Sequence, residues 1–106
     1  MNLVEDQEDF IAKALAAVDQ AGVPEHVVVD LQDDEFGVEI NYIEVPEDFR
    51  GQGWGDKVMA ILGHLADQQN VTLVLTAADE DLEDWYWKHG FEGGRHMVRK
   101  PRGQTQ

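Results

Sequence analysis

Cysteine is absent from this 106-residue sequence. Disulfides, thiolate nucleophiles and cysteine-based zinc sites are excluded with it. The four histidines, His26, His64, His89 and His96, show no i, i+4 pairing, so no metal site is expected. No apolar run approaches the ~20 residues of a membrane-spanning helix. The acidic N-terminus lacks the basic and apolar regions of a signal peptide. The expectation is one soluble, cytoplasmic domain, with no membrane partner and a single modest core.

Positive charge is scarce: 8 Lys and Arg stand against 22 Asp and Glu, a net of −14. Residues 1–49 carry 14 acidic groups against Lys13 alone, whereas residues 50–106 carry 8 acidic and 7 basic groups. The acidic half suits a solvated surface or a cationic partner, and the near-neutral half tolerates a polyanionic ligand. Direct nucleic-acid binding by the acidic surface is not expected.

The chain reads as a single domain, residues 1–106: an acidic helix and hairpin (1–49), a second half (50–100) and a frayed tail (101–106). Phe10, Ile11, Ala14, Leu15 and Val18 form an apolar stripe that predicts a helix over Asp6–Ala21, stopped by Gly22 and Pro24. Val27–Leu31 and Phe36–Val45 read as a hairpin around the turn Gln32–Glu35. On the second strand Glu39, Asn41, Ile43 and Val45 would share a face, unless a bulge breaks the parity. Trp54–Gln69 reads as a helix that Asn70 can end, with Val58, Leu62, Leu65 and Ala66 inward. Val71–Thr76 reads as a central strand, apolar on both faces. This strand–helix–strand unit implies parallel neighbours. Ala77–Asp81 connects to a short helix, Leu82–His89, closed by Gly90. Phe91 and His96–Lys100 supply a last strand interrupted at Gly93-Gly94.

Everything converges on the stretch from Val45 to Lys57, where a strand runs through Gly51, Gly53 and Gly55 directly into a helix. Glycines there bare the backbone, so that N–H groups and the positive helix end can close on an anion, usually a phosphate. Arg50 adds a positive charge. A Walker A loop fails, because the four-residue gap after Gly51 leads to Asp56 rather than Gly-Lys. A dinucleotide fingerprint fails too, because its third glycine should stand three residues after the second.

Arg50-Gly-Gln-Gly-Trp-Gly55 resembles the pyrophosphate loop of GCN5-related N-acetyltransferases, [Gln/Arg]-x-x-Gly-x-[Gly/Ala]. Downstream, Tyr86-Trp-Lys-His-Gly90-Phe91 resembles the family's Tyr-x-x-x-Gly-Phe. The resemblance spans Val38 to Arg99. It implies an α/β (α+β) fold with a mixed sheet, in the order helix-strand-strand-helix-strand-helix-strand. It also implies acetyl-CoA as co-substrate and an amine as acceptor. The backbone N–H of Ile43 would bond the acetyl carbonyl, and Val45 would pair with the pantetheine arm. Arg50, Gly51, Gln52, Gly53, Trp54 and Gly55 would hold the pyrophosphate. Tyr86 would protonate the departing thiolate, a task for a phenol neutral at pH 7. Glu39, six residues before Val45, would be the general base, with Glu44 as the alternative. Trp85 and Trp87 read as packing, and Lys57 and Lys88 as possible contacts to CoA phosphates.

Three departures stand out. Asp79 replaces the asparagine usual seven residues before the tyrosine, which puts its contact to pantetheine in doubt. Trp54 replaces a small aliphatic residue. The chain also lacks room for the first strand and second helix that shape the acceptor side. Two functions follow: an N-acetyltransferase acting on a lysine or other amine, expected on a basic macromolecule, or a non-catalytic binding protein of the same fold. The second would be an acidic decoy or inhibitor of a nucleic-acid-binding partner.

Overall fold

The computed structural model describes the backbone of residues 3–102 and the side chains of residues 9–102. The elements run α1 (Leu3–Gln20), β1 (Val28–Asp34), β2 (Gly37–Glu44), a short helical turn (Glu47–Phe49), α2 (Trp54–Gln69), β3 (Leu73–Thr76), α3 (Glu80–Lys88), β4 (Glu92–Gly93) and β5 (His96–Arg99). The fold is mixed α+β. Its five strands form one sheet in the order β1-β2-β3-β5-β4, with β2 and β3 parallel and the other neighbours antiparallel.

Helix α1 begins three residues before the expected start. Phe10, Ala14 and Val18 are its buried stripe, whereas Leu15 lies at the margin, 42% exposed. Gly22, at φ +81, ends the turn after the helix, a conformation that costs glycine little. Helix α2 keeps the expected bounds. It buries Val58, Met59, Leu62, Gly63 and Ala66, and Asn70 closes it in the left-handed region with its N–H on Ala66 O.

Two corrections concern the strands. Gln32, Asp33 and Asp34 belong to β1 rather than to a turn, because Glu35-Phe36 alone spans the hairpin and Phe36 N–H donates to Asp34 Oδ2 at 3.0 Å. Gly37 then lets β2 approach β3, since a Cβ there would lie 2.1 Å from Thr72 O. The last strand is a hairpin instead of one interrupted strand. Glu92 and Gly93 pair back onto Val98 and Met97.

The core lies on one face of the sheet. Leu31, Val38, Ile40, Leu73, Leu75 and Met97 are buried there with α1 and α2 residues. On the opposite face Glu39 and Val74 are half-buried and Val98 is 38% exposed. β3 is central in the sheet and carries apolar residues on both faces, but of its residues only Leu73 and Leu75 are buried, Val74 on the opposite face being half-buried.

Arg99 is buried among these apolar residues. Its guanidinium lies along Gly63 and makes two bonds to Asp67, Nη1–Oδ1 at 2.9 Å and Nη2–Oδ2 at 3.1 Å, while Nε donates to His89 O at 3.3 Å. Asp67 also accepts from Arg102 N–H at 2.8 Å. Pro101 and Arg102 are therefore tied down, contrary to the expected tail; residues 103–106 lie outside the described residues. No helix among the described residues is long and apolar enough to cross a membrane.

Candidate active site

Strands β2 and β3 pair only at Val38↔Leu73 and Glu39↔Val74. Beyond those pairs the two parallel strands part. On the other side, the β1–β2 register shifts between Asp30 and Leu31, so that Asn41 has no paired residue on β1, and its side-chain Nδ2 donates to Asp30 Oδ2 at 2.7 Å. This bulge breaks the alternation expected from the sequence. Ile40 is buried, and Ile43 and Val45 both pack against the core, whereas Asn41 and Tyr42 are exposed. Glu39 and Ile43 thus do not form the single graded face expected for them.

A cleft of about 760 Å³ occupies the gap. One wall is β2 from Asn41 to Val45, the other is α3 through Asp81, Leu82, Trp85 and Tyr86, and Arg50 and Gly55 close one end. A second hollow, about 250 Å³, shares Val45, Arg50, Gly55 and Trp85 with it and continues over Gly51 and Gly53. The parted strands and the glycine loop therefore form one surface.

The three loop glycines differ. Gly51 and Gly53 sit at φ +79 and +82 with open space where a Cβ would be, and Gly53 is the N-cap of α2. No side chain caps the helix, whose first amides precede the first helical bond, from Lys57 N–H to Gly53 O. Uncapped N–H groups with an open approach are suited to phosphate oxygens. Gly55 has no positive φ, and a Cβ there would meet the Trp85 ring at 3.4 Å, an ordinary contact, so neither conformation nor packing demands glycine at this position. Arg50 folds back to donate from Nε to Val45 O at 2.9 Å. Gln52 accepts from Trp54 Nε1 at 3.1 Å, and Lys57 Nζ lies 5.5 Å from the Trp54 ring centre. Trp54 thus packs half-buried beside the loop.

Tyr86 is half-buried on α3, its ring edge-on to Trp85 at 5.0 Å and to Phe91 at 5.7 Å. Burial pushes its phenol above the ordinary value of 10.0, which keeps it protonated near neutral pH. Glu39 lies in the paired part of β2 and outside the cleft lining, whereas Glu44 and Asp81 line it. Asp79 caps α3, its Oδ1 accepting from Leu82 N–H at 2.9 Å. This starts the helix two residues earlier than expected, and Asp79 does not line the cleft.

Sequence reasoning missed the joint between the two helices. Asp56 Oδ1 accepts from Trp85 Nε1 at 2.8 Å and pairs with His89 Nε2 at 2.9 Å. The bond to His89 holds the Asp56 carboxyl below its ordinary 3.8; burial opposes it, and the bond to Trp85 adds to the lowering. The position of Asp56 one residue after Gly55 was the available signal. No group of three or more His, Cys, Asp or Glu among the described residues could hold a metal ion.

No protein-family model and no curated protein matches the chain. Among the solved structures similar to it are two of one system. Both are of a mutant of the toxin AtaT bound to the C-terminus of the antitoxin AtaR, one of them with acetyl-CoA. The identity is 15% in each case, over 70% of this chain, with TM-scores of 0.47 and 0.46. The chain spans 55% of the length of these structures.

Proposed function

We propose that this chain is an N-acetyltransferase that moves an acetyl group from acetyl-CoA to an amine in a ternary complex. One observation carries the reading: the gap between β2 and β3 opens directly onto the uncapped, glycine-lined N-terminus of α2, with Tyr86 on its wall. The gap has the extended edge that a pantetheine arm would use, and the loop has bare amides for a pyrophosphate. Bound acetyl-CoA would supply an activated acyl group as its thioester.

The residues divide the remaining work. Glu44 and Asp81, on opposite walls of the cleft, attract an ammonium group, and Glu44 takes its proton so that the amine is neutral when it attacks. Tyr86 gives its phenolic proton to the sulfur as the carbon–sulfur bond breaks and the carbon–nitrogen bond forms. The attacking nitrogen loses its second proton to solvent, which returns one to Tyr86 and removes the one taken by Glu44. Arg50 holds the loop and adds charge opposite the pyrophosphate. Glu44 takes the role that the resemblance gives to Glu39 because it lines the cleft. The acceptor is cationic, a lysine or other amine, since carboxylates face it.

A second reading, a non-catalytic binder of a basic partner, is favoured by Phe36. It stands 74% exposed at the hairpin tip beside Asp33, Asp34 and Glu35.

Titration with acetyl-CoA tests both. A ligand that binds only the folded state stabilises it, by ~2.7 kcal/mol at one hundred times its dissociation constant. Acetyl-CoA should raise the melting temperature, and Gly53→Val, which puts a branched side chain at a positive φ over the loop, should abolish the rise. Thiol release with a lysine-containing peptide should follow. No melting shift at millimolar acetyl-CoA would remove the cofactor. A shift without turnover on any amine would leave the binding protein.

A further inference from the structure

Five of the eight basic residues fall between Lys88 and Arg102, and Glu92 is the only acidic residue in that span. In a chain of net charge −14 this is a concentration of the scarce sign. Arg99 is consumed by Asp67, but Lys100 and Arg102 line a cleft of about 640 Å³ together with Trp87, Gly90, Phe91 and Glu92. None of these residues lines the cofactor cleft or its extension over the loop. Trp85 and Trp87 are two positions apart, about 200° around a helix, so they leave α3 on opposite sides. Trp85 turns to Asp56, and Trp87 turns to Gly93, whose carbonyl accepts from its indole N–H at 3.0 Å.

Trp87 is 62% exposed yet fixed by that bond. Core packing does not explain it. The ring is a standing plate at the side of the cleft. Arg102 is also placed: its backbone N–H bonds Asp67, and its guanidinium lies over Gly90, with Nη2 2.7 Å from where a Cβ would stand. Its charge helps to lower the Asp67 pKa, but Asp67 already receives two bonds from Arg99. A planar π surface, two cations and one carboxylate acceptor match a base, a phosphate and a sugar hydroxyl respectively.

We propose that this cleft binds a mononucleotide, with its base stacked on Trp87, its phosphate between Lys100 and Arg102, and its ribose toward Glu92. A free nucleotide fits better than a strand, because the remainder of the chain repels a long polyanion. The site is separate from the acetyl-transfer cleft and does not depend on that function.

The test is an amide NMR titration of the full chain with AMP, adenosine, inorganic phosphate and a single-stranded oligonucleotide. AMP should move the Trp87 indole N–H and the amides of Gly90 to Gly93. Adenosine and phosphate should each bind about tenfold more weakly, as should AMP to Trp87→Ala, given the usual contribution of base stacking. The double variant Lys100→Gln with Arg102→Gln should lose the preference for AMP over adenosine while keeping the native amide spectrum. The assignment is overturned if millimolar AMP moves nothing or moves only Gly51 to Gly55. It is equally overturned if phosphate binds as tightly as AMP, or if the oligonucleotide binds more tightly.

Discussion

His89 Nε2 stands 2.9 Å from Asp56 Oδ1, and through this pair the C-cap of α3 is fastened to the first turn of α2. The helix that carries Tyr86 is thereby held against the helix whose N-terminus would receive the pyrophosphate. Trp85 adds a second bond to the same oxygen. The fastening has an electrostatic cost, because it puts a carboxylate at the helix end that should attract an anion.

That conflict gives a prediction with opposite signs. Asp56→Ala removes negative charge from the phosphate site and frees α3 together. Acetyl-CoA should bind as well as to the parent or a few-fold more tightly, since one carboxylate near a helix terminus contributes ~0.3–1 kcal/mol. Turnover should fall about tenfold or more, because small displacements of a catalytic group are costly. Calorimetric titration beside steady-state kinetics separates the two. Weaker cofactor binding with unchanged kcat would show that Asp56 supports the loop and has no part in placing Tyr86.

Tyr86→Phe keeps the ring contacts with Trp85 and Phe91 and removes only the hydroxyl. If the phenol protonates the sulfur, kcat should fall ~10²–10⁴-fold with little change in acetyl-CoA affinity. Glu44→Gln should lower kcat ~10²–10⁴-fold, the usual contribution of a general base, and Glu39→Gln should leave kcat nearly unchanged. The reverse result for the two glutamates would return the base to Glu39.

How much of this was legible in the sequence depended on whether the signal was local. Glycine spacing, the α1 stripe, the α2 helix and the Asn70 stop are local, and each was read directly. The bulge at Asn41 was not, because it arises from pairing with β1. Arg99 looked like an ordinary strand residue, since its partner Asp67 is 32 positions away and its packing surface is Gly63. Asp79 was read as a departure from a family pattern, whereas its place is the N-cap of α3, for which Asp and Asn are equally suited. Trp87 was read as packing beside Trp85, although a two-residue step on a helix separates their faces.

The Asp67–Arg99 pair should dominate the acid sensitivity of the fold. Hydrogen bonding by Arg99 lowers the Asp67 pKa below its ordinary 3.8. A depressed carboxylate contributes stability that is fully present above its unfolded value and is lost as pH falls through the folded one. Asp67→Asn should therefore cost about 2 kcal/mol near neutrality, the scale of hydrogen bonds to a charged group. The difference between parent and variant should shrink below pH ~4. Comparing the two cancels the relief of self-repulsion that acid brings to both chains. Melting curves across pH check it, and a constant difference down to the acid limit would deny the pair this role.

The acidic hairpin decides the class of partner. Asp33 and Asp34 end β1, and Glu35 and the exposed Phe36 form its turn, with none of them in the cofactor cleft. If this charge recruits a basic acceptor, association should be steered at long range and weaken with salt, as the Debye length falls from ~30 Å at 0.01 M to ~10 Å at 0.1 M. The variant Asp33→Asn, Asp34→Asn, Glu35→Gln removes three charges and keeps an acceptor at position 34 for the Phe36 N–H. Acetyl-CoA affinity should hold or rise slightly, because a less acidic protein repels a polyanion less. For a lysine-rich peptide substrate, KM at low salt should rise several-fold and kcat should stay. The parent's KM should climb with salt until the two proteins coincide, since screening and neutralisation remove the same attraction. Identical KM values for parent and variant at low salt would make the hairpin a solubilising surface and leave acceptor recognition to Glu44 and Asp81 within the cleft.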